Sequence, residues 1–156
     1  MNHAKEISAL VKIAIPDMVV CTMVGTAHIE FFGTQAKIAE AKSEIYLDSN
    51  PDTVRIFNQD QSWTFDMMYP AAKKFPDARM LSFSEKNNTA DVFFKIESMT
   101  MKSLSISGFI GGKEGSAIIP VFGKQNLTNI LAAATVAYAC RLNPEQIWLS
   151  LSNCKT

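Results

Sequence analysis

The sequence predicts an α/β fold with a mainly parallel sheet flanked by helices, and three features carry that prediction. A short apolar run ends in a loop and feeds an amphipathic helix; short strands and helices then follow one another through residue 83; and between residues 91 and 122 the pattern changes to period two. The first two are what helix-covered parallel strands require, and the third is an antiparallel hairpin section. With 47% hydrophobic and 19% charged residues, a chain of 156 can bury a real core.

Lys plus Arg and Asp plus Glu each number 15. That balance leaves no basic footprint for nucleic acid and no lysine cluster for an acidic membrane surface. The longest apolar run, 130–140, is too short and too rich in alanine to span a bilayer, and with Lys5 and Glu6 ahead of the first apolar residues no secretory signal is expected at the N-terminus. Cys21, Cys140 and Cys154 have no metal-ligand spacing, and three cysteines suit a reducing cytoplasm better than a disulfide framework.

Taken in order, residues 1–13 read as a short helix with Ile7, Leu10 and Val11 inward, ended by Pro16. The run Val19, Val20, Cys21 has the character of a strand covered on both faces. Gly25 breaks it, and Thr34 is placed to cap a helix over 35–46. On that helix Ile38, Ala41 and Ile45 share one face and Lys37, Glu40, Ser43 and Glu44 the other. Lys42 falls with the apolar set. Either its stem lies along apolar surface with the amine in water, or the amine is paired or chemically altered.

Residues 48–52 form a turn, 53–57 a strand closed by Asn58, Gln59 and Asp60, 63–74 a helix kinked or broken at Pro70, and 79–83 another strand. A polar loop over 85–91 leads to three antiparallel strands within 91–122. The glycine-rich stretch 108–115 is a hairpin turn and not a phosphate loop, because Ser107 and Glu114 stand where that motif needs Gly and Ser or Thr. Helices over 123–141 and 144–151 finish the chain. Asn126 and Asn129 share a face of the first turn, where their amides suit either helix capping or a purine edge. Asn58 is read as an Asx turn closing its strand.

His28, Glu30 and Lys42 lie at the carboxyl end of a strand and on the helix after it, the place where open α/β sheets bind ligands. The segment GTAHIEFFGTQAKIAEAKSEIY resembles the corresponding segment of the ATP-dependent Mur ligases of cell-wall synthesis. Within the family it is most similar to the branch that adds D-alanyl-D-alanine to the UDP-N-acetylmuramoyl tripeptide. A second stretch, GKQNLTNILAAATVA, resembles the family motif whose asparagines approach adenine, and Asn58 to Asp60 is similar to its Asn-x-Asp motif near the nucleotide. Met23, Gln125 and Ile130 replace the usual asparagine, histidine and alanine.

The resemblance implies that His28 and Lys42, the latter as a carbamate 14 residues further on, bind Mg²⁺, and that Asn126, Asn129 and Asn58 contact ATP. Carbon dioxide adds only to a neutral amine, which burial favours, and the product is the anionic oxygen ligand that Mg²⁺ prefers. A glutamate of the family, which also binds magnesium, corresponds to a position just before Met1; His3 nearby reads as an exposed residue near a terminus. The resemblance therefore makes residues 1–156 a single partial central domain, without the phosphate-binding loop, the UDP-binding N-terminal domain or the C-terminal domain. In the complete protein it implies a cytoplasmic enzyme acting on nucleotide and UDP-sugar peptide, with the chain alone inactive. A sheet edge left open would favour self-association. Two alternatives stand beside this: a non-catalytic Mur-like module used for packing or partner binding, and a ligase of the folylpolyglutamate synthetase type.

Overall fold

The computed structural model describes residues 3–27 and 29–154. It contains α1 (Glu6–Ala14), β1 (Met18–Cys21), α2 (Ile29–Phe32), α3 (Gln35–Leu47), β2 (Val54–Asn58), α4 (Ser62–Lys74), β3 (Met80–Ser84), β4 (Val92–Met99), β5 (Leu104–Ile110), β6 (Lys113–Ile119), α5 (Asn126–Ala139) and α6 (Pro144–Ser152). The six strands follow chain order in the sheet. Pairs β1–β2 and β3–β4 are parallel, and β4–β5 and β5–β6 antiparallel. The α/β class with an antiparallel section is thus what the structure has. Among the described residues, no helix is long and apolar enough to cross a membrane.

Contacts divide the chain into two compact units, Met1–Met80 and Leu81–Thr156. The core of the first gathers Val19 and Cys21 of β1, Ile38, Ala39 and Tyr46 of α3, and Met67, Met68 and Ala71 of α4. Thr34 caps α3 as its hydroxyl position predicts, accepting from the Lys37 amide at 3.2 Å. Three local expectations are corrected. Residues 29–32 form a helical turn instead of a loop. Strand β1 is buried on one face and half-buried on the other, because Met18 and Val20 lack full cover. Helix α4 runs unbroken through Pro70 to Lys74. A proline removes one donor, and the burial of Met67, Met68 and Ala71 around it holds the turn.

The outward face assigned to Glu44 also has a tertiary purpose. Its carboxylate accepts from the amides of Lys5 at 2.7 Å and Ser8 at 2.9 Å, capping α1 where no side chain of α1 does so. An anion at a helix N-terminus satisfies orphan donors and meets the positive end of the dipole. Glu44→Ala is expected to destabilise the protein by about 0.5–2 kcal/mol, read as a lowered urea midpoint, while Glu40→Ala on the exposed side leaves it in place.

In the second unit the alternation of β4 and β5 buries Val92, Phe94, Leu104, Ile106 and Ile110. Phe94 meets Trp148 of α6 with ring centroids 4.8 Å apart. Gly115 lies against the same indole, where a Cβ would come within 2.4 Å of the ring nitrogen. The glycine that looks like turn chemistry in the sequence is also what seats α6 on β6.

Candidate functional site

Strand β1 ends at Cys21, and the loop after it is fixed by side chains from other elements. Three successive carbonyls each receive a side-chain donor: Thr22 from Asn58 Nδ2 at 3.0 Å, Met23 from Lys42 Nζ at 2.8 Å, and Val24 from Gln35 Nε2 at 2.9 Å. The amide of Val24 donates to Gln61 Oε1 at 2.8 Å. Val24 itself is buried, so its polar backbone groups need these partners. Helix α3 and the β2–α4 turn thus grip the loop from both sides.

Lys42 is half-buried, and its amine donates to the Met23 carbonyl on the exposed side of the loop; among the described residues no carboxylate pairs with it. A cavity of about 180 Å³ opens beside it, lined by Val20, Cys21, Thr22, Met23, Lys42 and Ile45. The Cys21 thiol approaches the same carbonyl at 3.7 Å. Burial pushes the Cys21 thiol pKa up, and the Lys42 ammonium pulls in the opposite direction. Met23, which stands where the resemblance expects asparagine, uses its backbone here and leaves its side chain about half exposed, at 49%.

Asn58 is buried and committed at both ends of its amide. Its Nδ2 holds Thr22, and its Oδ1 accepts from the Asp60 amide at 2.9 Å, which is the Asx turn expected of a strand end. His28 lies outside the described residues. Among the described residues, no group of three His, Cys, Asp or Glu side chains is placed to hold a metal ion.

Asn126 and Asn129 belong to the second unit. Asn126 opens α5, and its Nδ2 donates to the Phe122 carbonyl at 2.7 Å, closing the turn that enters the helix. Asn129 is exposed. Beside this first turn a cavity of about 340 Å³ is walled by Leu127 and Lys124 on one side and Ile96 and Met99 of β4 on another; Lys86, Lys95 and Glu85 also line it, Glu85 at 4.0 Å from Lys124 Nζ. Sequence reasoning missed Gln35 and Gln61. Their only signal is an amide at the first position of one helix and just before another, and nothing local says that both face one loop.

The sequence matches the Mur ligase middle domain over residues 1–137. It is 26% identical over 152 residues to the UDP-N-acetylmuramoyl-tripeptide–D-alanyl-D-alanine ligase of Synechocystis, covering 97% of this chain and 30% of that protein. Crystal structure I of MurF from Acinetobacter baumannii superposes with a TM-score of 0.86 at 29% identity, covering 100% of this chain and 33% of that one. MurF from Thermotoga maritima in complex with ADP shares the fold, with a TM-score of 0.76 at 24% identity over 99% of this chain and 34% of that chain. The chain spans about a third of the length of these relatives. It belongs to the Mur ligase middle domain family.

Proposed function

We propose that the chain is a partial central domain of a cytoplasmic, ATP-dependent amide ligase that adds D-alanyl-D-alanine to a UDP-N-acetylmuramoyl tripeptide. The observation that carries this reading is the placement of Lys42. Its amine stands on the strand-end loop after β1, at the end of a half-buried side chain and beside a cavity with room for a carbamate. In that reaction the tripeptide carboxylate attacks the γ-phosphate of ATP, and the incoming amine displaces phosphate from the acyl phosphate so formed. Both steps concentrate negative charge, which cations and preorganised donors stabilise.

Carbamoylation converts the Lys42 amine and carbon dioxide to a carbamate, with release of one proton. The remaining N–H can still donate to the Met23 carbonyl. The carbamate oxygens suit Mg²⁺, whose other ligand from this chain would be His28, and the metal would supply charge neutralisation at the phosphates. Asn58 serves the site by holding Thr22 in place. Asn126 and Asn129 would orient adenine at the first turn of α5, where the neighbouring cavity has an apolar wall of Ile96, Met99 and Leu127.

The test uses the 156-residue chain. With ¹³C-bicarbonate, a carbamate carbon resonance is expected in the wild type and absent in Lys42→Arg. Titration with Mg²⁺ and ADP is expected to give binding that weakens about tenfold, or about 1.4 kcal/mol, in Asn129→Ala. No peptide-bond formation is expected from the chain alone. Absence of both the resonance and nucleotide binding would favour the second reading, a non-catalytic module. That reading is supported by the Asn126 amide being spent on Phe122 and by Gln125, whose side chain packs on Gly123. In such a module β1, one of the two terminal strands of the sheet order, is where a second chain would add, and self-association belongs to the same reading.

A further inference from the structure

We propose that the outer face of the β4–β5–β6 sheet is a saccharide-binding site. It lies wholly within the second unit and does not depend on the nucleotide reading. Because successive side chains alternate across a strand, burial of Val92 and Phe94 turns Phe93 and Lys95 outward. The register sets Phe93 opposite Phe109 and Phe109 opposite Glu114; one row along, Lys95, Ser107 and Ser116 stand in line. The two phenylalanine rings stack with centroids 5.5 Å apart and planes 29° from parallel. They form part of a shallow cavity of about 560 Å³, with Asn88 at its rim.

The polar groups select the ligand class. Glu97 accepts from the Ser107 hydroxyl and pairs with Lys95 at 2.8 Å, so the one ammonium of this face is already answered. What remains is a carboxylate on Glu114, a hydroxyl on Ser116 and an amide on Asn88, all exposed. A phosphate or carboxylate ligand would face Glu97 and Glu114. A protein partner would find two half-buried rings and, beyond the polar row of Lys95, Ser107 and Ser116, the exposed Ile118 opposite Ser105, which do not make the contiguous apolar patch such docking uses. A neutral ring with hydroxyls on its edge fits both features. Its C–H face lies on the aromatic pair, and its hydroxyls donate to Glu114 in charge-assisted bonds and exchange bonds with Ser116 and Asn88.

The experiment is a titration of the ¹⁵N-labelled chain with the β-1,4 trimer of N-acetylglucosamine, followed by amide shifts. Saturable shifts are expected at Phe93, Ser107, Phe109, Gly115 and Ser116, with a Kd of about 1 mM. Phe109→Leu and Glu114→Gln are each expected to weaken binding by about three- to tenfold. Mg²⁺ and ADP should leave these amides unmoved, so loss of nucleotide binding and loss of sugar binding are separate results. The proposal is overturned if the shifts do not saturate, if both variants bind as the wild type does, or if the same amides move with protein concentration alone. Should Phe109→Leu fail to fold, Glu114→Gln at its exposed position decides the matter.

Discussion

Arg55→Ala is expected to destabilise the protein by about 3–5 kcal/mol, the combined cost of buried carbonyls that lose their donor and of the cavity left by a large buried side chain. Arg55 is completely buried in the first unit. Its Nε donates to Tyr46 O at 2.9 Å, Nη1 to Thr53 O at 2.6 Å and Pro51 O at 3.4 Å, and Nη2 to Asn50 O at 3.0 Å and Ser49 O at 3.3 Å. The guanidinium carbon lies 4.2 Å from the centre of the Phe75 ring. Five carbonyls thus stand in for a carboxylate, and several belong to the end of α3 and the turn after it, where the helix dipole is negative. Burial lowers the Arg55 pKa, but a guanidinium keeps its charge in a protein.

Removal of this side chain takes the guanidinium donor from the buried carbonyls of Tyr46, Ser49 and Thr53, while the Asn50 carbonyl keeps the Thr53 amide, and empties the space over Phe75. Lysine should recover only part of the loss, since it has three donors at one point where arginine has five in a plane. Urea unfolding reads the result as a lower midpoint at constant slope. A change within about 0.5 kcal/mol, the level of an ordinary surface substitution, would show that the turn does not depend on Arg55.

The second large effect is a loss of stability in alkali that is set by Tyr46 and Cys21. The Tyr46 hydroxyl accepts from the Cys21 amide at 3.1 Å and donates to the Ile56 carbonyl at 2.7 Å, so α3 links β1 to β2 through one oxygen. Burial pushes the Tyr46 pKa far above its ordinary value of 10.0, with a further push from Cys21, against the lowering effect of the Cys21 amide. Burial likewise raises the Cys21 thiol above 9.0. Both acids stay protonated in the folded chain while the unfolded chain releases those protons. Their contribution is therefore complete below about pH 9 and falls as pH rises above the unfolded values, by about 1.4 kcal/mol per pH unit for each group.

Tyr46→Phe is expected to remove the tyrosine share of that slope, and to cost about 1–3 kcal/mol at neutral pH because two buried backbone groups lose a partner. Cys21→Ala should flatten what remains. Urea midpoints at about pH 8 and about pH 11 separate the two effects, and equal slopes in wild type and Tyr46→Phe would show that the phenol titrates normally in the fold.

Sequence periodicity found the strands, the capped helix α3 and the antiparallel section, because each is decided by neighbours within one element. It also found Lys42 on the inner side of α3 and the Asx turn at Asn58. It did not find the partners. Lys42 and Asn58 are 16 residues apart in the chain, yet they hold adjacent carbonyls of one loop. Glu44 reads as solvated surface until α1 is laid beside it, and Arg55 reads as an ordinary strand arginine until the turn after α3 folds over it. Gly115 reads as turn chemistry until Trp148 occupies the place of its side chain.

The amino-acid order by itself determined the α/β class, the membership implied by the two motif stretches, and which side of α3 carries the amine. Tertiary structure alone decided what that amine touches and which buried carbonyls need a cation. Periodicity reports which face of an element is apolar, whereas a hydrogen bond depends on the distance between elements that only packing brings together.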